Sequence, residues 1–435
     1  MARFGLLGER LTHSFSPFIH AALGEYEYCL FEKKPEELDD FLKHGNFDGL
    51  NVTIPYKKTV IPYCHVLSET ARKAGSVNTI ARLSDGTLYG DNTDFFGFAY
   101  LLQKSGINTT AGKIIILGSG GSSQTVQAVL RDMKAFCDEA SSAREIVVIS
   151  RHGADNYENI DKHRDAQIII NTTPVGMYPN NGFSPIGDFG IFQNCEAVID
   201  LIYNPARTEL LLQAEERGVL CANGLAMLAA QAKKSADIFT GSLAAASSGG
   251  EPCLADSTPC GSIIADEKIE EIVSKINKMT RNTVLIGMPG SGKTSIGKAL
   301  AKMTGRKFAD TDERVVEAAG KSIPDIFAED GESVFRGLET DALRVLCKES
   351  GLIIATGGGI VKRNENRRII RQNGIIVFLD RDIDELPVTG RPLSEKEGLG
   401  ALAAVRMPLY TLWSECKIPV RGVEQTAADI YQKLF

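Results

Sequence analysis

The segment 283–295, TVLIGMPGSGKTS, sets Gly287, Gly292, Lys293 and Thr294 at the spacing G-x-x-x-x-G-K-[ST]. An apolar run precedes it and a helix-forming run, SIGKALAKMTG, follows, the setting a phosphate-binding loop needs. Glycines let backbone N–H groups converge on phosphate oxygens. The candidate nucleotide contacts are therefore Gly290, Ser291, Gly292, Lys293, Thr294 and Ser295. Lys293 would neutralise the β and γ phosphates of ATP, and the Thr294 hydroxyl would ligate Mg²⁺. Downstream, FADTDE carries Asp310 and Asp312. One carboxylate can serve the metal through water, and the other can hold or deprotonate an acceptor hydroxyl. The segment IFAEDGESVFRGLE then carries Arg336 and Glu339. IIATGGGIV places Gly357, Gly358 and Gly359 at the C-terminal end of an expected strand, where ligands bind in parallel sheets. GRPLS and VRMPLY add Arg391 and Arg406.

A second glycine loop, ILGSGGSSQTV, follows an apolar strand and opens a helix. Its G-x-G-x-x-S pattern is weak alone and gains weight from that setting. Gly118, Ser119, Gly120, Gly121 and Ser122 are its candidate cofactor contacts. The next strand, EIVVIS, ends at Ser150 and Arg151. An NAD site usually places an acidic residue there for the ribose 2′-OH. A basic residue stands there instead, so Arg151 is expected to hold the 2′-phosphate of NADP(H). Earlier in the chain, polar clusters end several apolar runs: Ser14 and Ser16, then Asn51, Thr53 and Lys57, then Asn78, then Asn92 and Asp94. Taken singly, the two serines could be turn or N-cap residues, and Asn78 a turn residue.

In order, GxxGSGKT, DTD, DGExxFRxxE, TGGG, GRPL and RxPLY make residues 282–435 resemble shikimate kinase. The resemblance implies that Asp312, Arg336, Gly358 and Arg406 contact shikimate, with Arg406 on its carboxylate, a bidentate task suited to guanidinium. It implies Lys293, Asp312 and Arg391 as catalytic groups, with Arg391 on a lid over ATP, and leaves Thr294 and Asp310 for the metal. The stretch before that arginine, DRDIDELPVT, is shorter and poorer in arginine than the family usually carries. The blocks HSxSPxxH, NVTxPxK, VNT, GxNTD, GxGGxS, NTTPVGM, DLIYNPxxT and GLxMLxxQA likewise make residues 1–241 resemble shikimate dehydrogenase. This implies a substrate pocket of Ser14, Ser16, Thr53, Asn78, Asp94, Tyr203 and Gln231. It also implies a catalytic pair, Lys57 and Asp94, and further cofactor contacts at Leu201 and Gly224.

These residues need sheets to hold them. Strand-like runs alternate with helical ones along the whole chain, which predicts an α/β protein built of three parallel-sheet units. A substrate domain is expected over 1–95 with a returning helix at 225–240, and a Rossmann NADP domain over 96–224. A linker with a helix would fill 241–281, and a P-loop kinase domain 282–435. In the linker, GSLAAASSGGEPCLADSTPCGS has flexible, turn-forming composition. At 266–279, Ile269, Ile272, Val273 and Ile276 share one helical face.

Composition bounds the partners. At 435 residues the chain is too long for one core. The net charge is −7 with no basic block, so nucleic acid is not an expected partner. No apolar run reaches the roughly 18 residues of a membrane span. The N-terminus reads as a first strand, and the nine cysteines show no paired spacing, so a cytoplasmic protein with reduced thiols is expected. Small-molecule substrates are the expected partners, with oligomeric state open. Two alternatives stand beside a bifunctional enzyme making shikimate 3-phosphate. The first half could use quinate as well as shikimate, or one half could be a non-catalytic binding or regulatory module.

Overall fold

A computed structural model describes residues 2–11, 14–109, 112–134, 145–248, 266–386 and 398–435. The chain forms two compact units, the first holding two sheets and the second holding one.

The first sheet contains β1 (Arg3–Gly8), β2 (Glu27–Glu32), β3 (Gly49–Val52), β4 (Val66–Leu67), β5 (Thr79–Arg82) and β6 (Leu88–Asp91), in the order β2-β1-β3-β5-β6-β4. It is mostly parallel, but β5 runs antiparallel to both neighbours. The reason is local: β5 and β6 form a hairpin over SDGT, where Asp85 accepts from the Thr87 N–H at 2.9 Å and Gly86 takes φ +86°. The edge strand β2 mixes exposed and half-buried residues, whereas β3 is buried throughout.

The second sheet contains β7 (Lys113–Leu117), β8 (Glu145–Ile149), β9 (Ile168–Asn171), β10 (Ala197–Asp200) and β11 (Leu220–Asn223). All pairs are parallel, in the order β11-β10-β9-β7-β8. Isoleucine-rich β7 and β9 sit centrally because both their faces are covered. The helix Leu225–Ser248 continues past the expected linker start at 241. Alanine and leucine in SLAAASS are strong helix formers and carry it on.

The third sheet contains β12 (Asn282–Ile286), β13 (Phe308–Asp310), β14 (Ile353–Ala355), β15 (Gly374–Asp380) and β16 (Cys416–Pro419), all parallel, in the order β13-β14-β12-β15-β16. Alternate residues face opposite sides. Val284, Ile286, Ile354, Ile376 and Phe378 join one core. Leu285, Ile353, Val377 and Leu379 join the other. The helix Asp266–Thr280 buries Ile269, Ile272 and Ile276, as their spacing predicts, with Val273 half-buried. Among the described residues no helix is long and apolar enough to cross a membrane. None of the six described cysteines is in a disulfide.

Candidate active sites

In the first unit, polar clusters lie at or next to the ends of strands of the first sheet. The N–H of Thr53 donates to the Leu7 carbonyl at 2.9 Å, which ties the loop after β3 back to β1. The Lys57 carbonyl accepts from the Val77 N–H at 2.8 Å, next to Asn78. Asn92 caps the helix Thr93–Ser105 through its Oδ1, which accepts from the Phe95 N–H at 3.3 Å. Asp94 therefore stands in that helix's first turn, where the helix dipole favours a carboxylate. Lys57 Nζ lies 2.6 Å from Asp94 Oδ2, and the two side chains are 23% and 13% exposed. The pair is screened from most water and still reachable, as a proton-transfer site requires.

Asn78 Oδ1 accepts from the Thr93 N–H at 2.7 Å. That bond fixes the amide orientation, so the NH₂ end points away from Thr93 and lies 3.4 Å from Gln231 Oε1. Ser14 Oγ accepts from the Ser16 N–H at 3.1 Å, so the Ser14 hydroxyl proton stays available to a ligand. Burial pushes the Tyr203 phenol up, so it remains a donor. Its ring lies 6.0 Å from that of Phe15, beside the two serines.

The second glycine loop follows β7, and its helix, Gly121–Lys134, starts at the third glycine. Added methyl groups at Gly120 or Gly121 would meet nothing within 4 Å, so the loop borders open space. Backbone N–H groups at this helix start suit a pyrophosphate, which is the observation by which NADP(H) fits here. Ser119 and Ser122 flank those glycines. At Gly224 the opposite holds: a methyl there would lie 2.0 Å from the Leu201 carbonyl oxygen. That close approach brings together the two further candidate positions, and only glycine permits it. Ser150 and Arg151 follow β8; Ser150 is half-buried and Arg151 exposed.

In the second unit, a cavity of about 780 Å³ is lined by Gly290, Gly292, Lys293, Thr294, Ser295, Asp310, Asp312, Arg336, Gly358 and Arg406, and also by Glu339 and Arg381. The structure thus gathers the described kinase candidates around one space. Ser291 lies fully buried in the same loop, and its Oγ finds no partner among the described residues. Arg391 lies outside the described residues.

Gly292 has φ +92° at the start of the helix Lys293–Thr304, a conformation that favours glycine, and it lines the cavity with Gly290. Thr294 Oγ1 donates to Asp310 Oδ2 at 2.8 Å. Asp310 Oδ1 accepts from the Asp312 N–H at 2.9 Å and caps the helix Thr311–Ala319. A hydroxyl beside a carboxylate, near a phosphate loop, is a donor set Mg²⁺ accepts.

Asp312 projects inward, and its Oδ1 finds no partner among the described residues. Burial, then the nearby Glu339 and Asp310, push its carboxyl up to about 7. Glu339 is fully buried; burial raises its carboxyl too, although Arg336 donates to it at 2.8 Å. The Arg336 guanidinium also bonds Glu332 at 3.1 Å and lies flat under Gly359, where an added methyl would sit 2.3 Å from its carbon and nitrogens. Buried Arg406 gives one N–H to the Gly358 carbonyl at 3.2 Å, while its Nε and a second terminal nitrogen find no partner among the described residues. Two unpartnered buried N–H groups on one guanidinium are a ready site for a carboxylate.

A shikimate dehydrogenase (NADP(+)) from Clostridium perfringens is 32% identical over 262 residues, which make up 55% of this chain and 93% of that one. The chain belongs to the shikimate dehydrogenase family. Residues 6–80 match the family model "Shikimate dehydrogenase substrate binding domain". Among solved structures, a chorismate mutase/shikimate 5-dehydrogenase fusion protein from Clostridium acetobutylicum is 34% identical with a TM-score of 0.53, covering 63% of this chain and 96% of that one. The shikimate 5-dehydrogenase of Thermus thermophilus, solved in complex with NADP(H) and shikimate, is 28% identical with a TM-score of 0.51, over 63% of this chain and 99% of that one. Residues 289–433 match the shikimate kinase model. The chain therefore joins a shikimate dehydrogenase to a shikimate kinase domain, two enzymes of the shikimate pathway.

Several groups in these sites carry no assigned role in the sequence reading. Glu339 was visible in FRGLE, three residues from Arg336 on one helix face, but a buried ion pair and a surface pair look alike in sequence. Thr311 accepts from the Gly357 N–H at 3.0 Å, and Tyr410 donates to the Gly358 carbonyl, so both hold the glycine turn. Ser235, one turn beyond Gln231, carried no signal beyond that spacing.

Proposed function

We propose that the first unit reduces 3-dehydroshikimate to shikimate with NADPH, and that the second transfers the γ-phosphoryl group of MgATP to the 3-hydroxyl so formed. The observation carrying this reading is that each unit pairs a proton-handling group with fixed donors for a small polyhydroxylated acid. NADPH would supply the hydride, and MgATP the phosphoryl group.

In the dehydrogenase site, Lys57 stabilises the developing alkoxide and delivers the proton it needs, while Asp94 holds the ammonium charged and aimed. Ser14, Ser16 and Tyr203 offer hydroxyls to the substrate. Thr53, Asn78 and Gln231 orient its ring. Gly118 to Ser122 receive the cofactor pyrophosphate, Leu201 and Gly224 shape its far side, and Ser150 and Arg151 take the 2′-phosphate.

In the kinase site, Arg406 and Arg336 grip the shikimate carboxylate and Gly358 closes over its ring. Asp312 accepts the proton of the attacking hydroxyl. Residues 290–295 hold the ATP phosphates, with Lys293 on the charge of the transferred group, Thr294 and Asp310 on Mg²⁺, and Arg391 completing the cover.

Incubating the full chain with 3-dehydroshikimate, NADPH and MgATP tests this directly. Shikimate 3-phosphate should form with one NADPH oxidised per product. A Lys57→Ala variant should lose NADPH oxidation yet phosphorylate added shikimate, and Lys293→Ala should do the reverse. Loss of both activities from either change would refute two separate sites.

A further inference from the structure

Behind the dehydrogenase pocket, three buried hydroxyls form a closed triangle. Ser235 Oγ lies 2.9 Å from Thr79 Oγ1 and 3.0 Å from Thr93 Oγ1, and those two lie 3.1 Å apart. All three residues are at most 1% exposed. Asn51 closes the cluster on one side, donating from Nδ2 to Ser235 Oγ at 2.7 Å. On the other side Thr93 meets both pocket amides, through Asn78 Oδ1 at 3.2 Å and Gln231 Oε1 at 3.3 Å. Ser235 and Gln231 share one helix, and the Ser235 hydroxyl also reaches the Gln231 carbonyl at 2.9 Å.

The bonding has a direction. Asn51 must donate with its NH₂, because its Oδ1 already accepts from the Tyr28 hydroxyl at 2.8 Å. Ser235 therefore accepts there, and its own proton is shared between the Gln231 carbonyl at 2.9 Å and Thr93 Oγ1 at 3.0 Å. Thr93 and Thr79 then serve the amide oxygens of Asn78 and Gln231. One N–H of Asn78 goes to Gln231 Oε1 at 3.4 Å and one of Gln231 to the Leu228 carbonyl at 3.2 Å, so each amide keeps a single N–H for the pocket. The Thr93 N–H already sets Asn78, so the cluster decides which end Gln231 offers the pocket.

We propose that Ser235 is a positioning residue of the dehydrogenase: its hydroxyl, bonded to Thr93, holds Gln231 with Oε1 turned inward and one N–H left for the substrate. This rests on the reading that the Gln231 amide binds substrate. Ser235 itself touches no substrate and takes no part in proton transfer.

The test is Ser235→Ala in the full chain, with the kinase of the same molecules reporting the amount of folded protein. The variant removes one oxygen atom and adds no bulk. KM for 3-dehydroshikimate should rise about tenfold, the scale of one buried hydrogen-bond set lost, with kcat within about twofold. KM for NADPH and the kinase rate should stay unchanged, and Ser235→Thr, which keeps the hydroxyl, should recover part of the loss. Unchanged KM in Ser235→Ala would overturn the proposal. So would a uniform fall in active enzyme with KM unaltered, which marks a merely structural role. Gln231→Ala separates the two layers. If it raises KM while Ser235→Ala does not, positioning alone fails; if it too leaves KM unchanged, the pocket reading fails.

Discussion

Replacing Asp312 by Asn should make the kinase unit more stable at alkaline pH while removing most of its activity. Burial and two neighbouring acids move this carboxyl from an ordinary 3.8 to about 7. At about 1.4 kcal/mol for each tenfold in proton affinity, ionising it costs the folded chain about 4 kcal/mol more than the unfolded chain. The folded state holds this proton more tightly, so the cost is absent below the unfolded value near 4. It grows as the pH rises and is complete above about 7. An asparagine carries no such cost, and its NH₂ can donate to the neighbouring Glu339 Oε1, which finds no partner among the described residues. Both acids crowd Gly357, where an added methyl would lie 2.8 Å from Asp312 Oδ1 and 2.4 Å from Glu339 Oε1. Allowing half of the cost for the new amide's own burial, a gain of about 2 kcal/mol remains at pH 8. That corresponds to a midpoint rise of about 4–8 °C for a unit of this size. Calorimetry of the full chain would follow the transition that ATP moves upward. The gain should be present at pH 8 and vanish toward pH 4. Phosphorylation should fall by about 10²–10⁴ with loss of the base. The wild-type kcat/KM should rise with pH through about 7, and the variant should lack that limb. A variant that melts no higher than wild type at pH 8, or that keeps its turnover, would refute the argument.

Two further changes probe contacts specific to this chain. Gly359→Ala would press a methyl into the Arg336 guanidinium at 2.3 Å and displace it from Glu339. KM for shikimate in the kinase assay should rise about tenfold or more, with KM for ATP little altered; equal changes in both would contradict the assigned grip. Arg151→Ala should weaken NADPH about tenfold or more while leaving NADH use nearly as it was, which steady-state kinetics with the two cofactors will show.

Much of this organisation was legible in the sequence because its signals are local. The phosphate loop, DTD and the isoleucine-rich strands each carry their meaning within a few residues. The antiparallel β5 was harder, since the turn SDGT competes with a strand–helix rhythm that elsewhere means parallel pairing. The run of helix to Ser248 was obscured for a similar reason. Small residues there suit a linker by flexibility and a helix by propensity, and what precedes them decides. In the dehydrogenase half, the motifs named candidate substrate contacts and were silent on the buried residues that hold them. Ser235 stands 156 residues from Thr79 and 184 from Asn51, and no short pattern records such contacts.

The kinase cavity shows why the motif residues come as a set. Asp310, Asp312 and Glu339 bring three carboxyl groups to a region that Lys293, Arg336 and Arg406 enter with three buried cations, with Arg381 on its more exposed side. Each buried charge alone would carry a penalty of several kcal/mol. Together they nearly neutralise one another, but the geometry spends the pairs unequally. Arg336 is matched with Glu339 and Glu332, whereas Arg406 has two buried N–H groups with no partner among the described residues. Asp312, short of a cation of its own, is raised toward neutrality. A substrate bringing a carboxylate to Arg406 and a hydroxyl to Asp312 would complete both at once. Its hydroxyl would donate to the carboxylate and hold it charged, as a base must be when phosphoryl transfer begins. The imbalance therefore favours an acceptor with acid and hydroxyl at opposite ends of a small rigid ring, and it disfavours a simple alcohol, which leaves Arg406 unmatched.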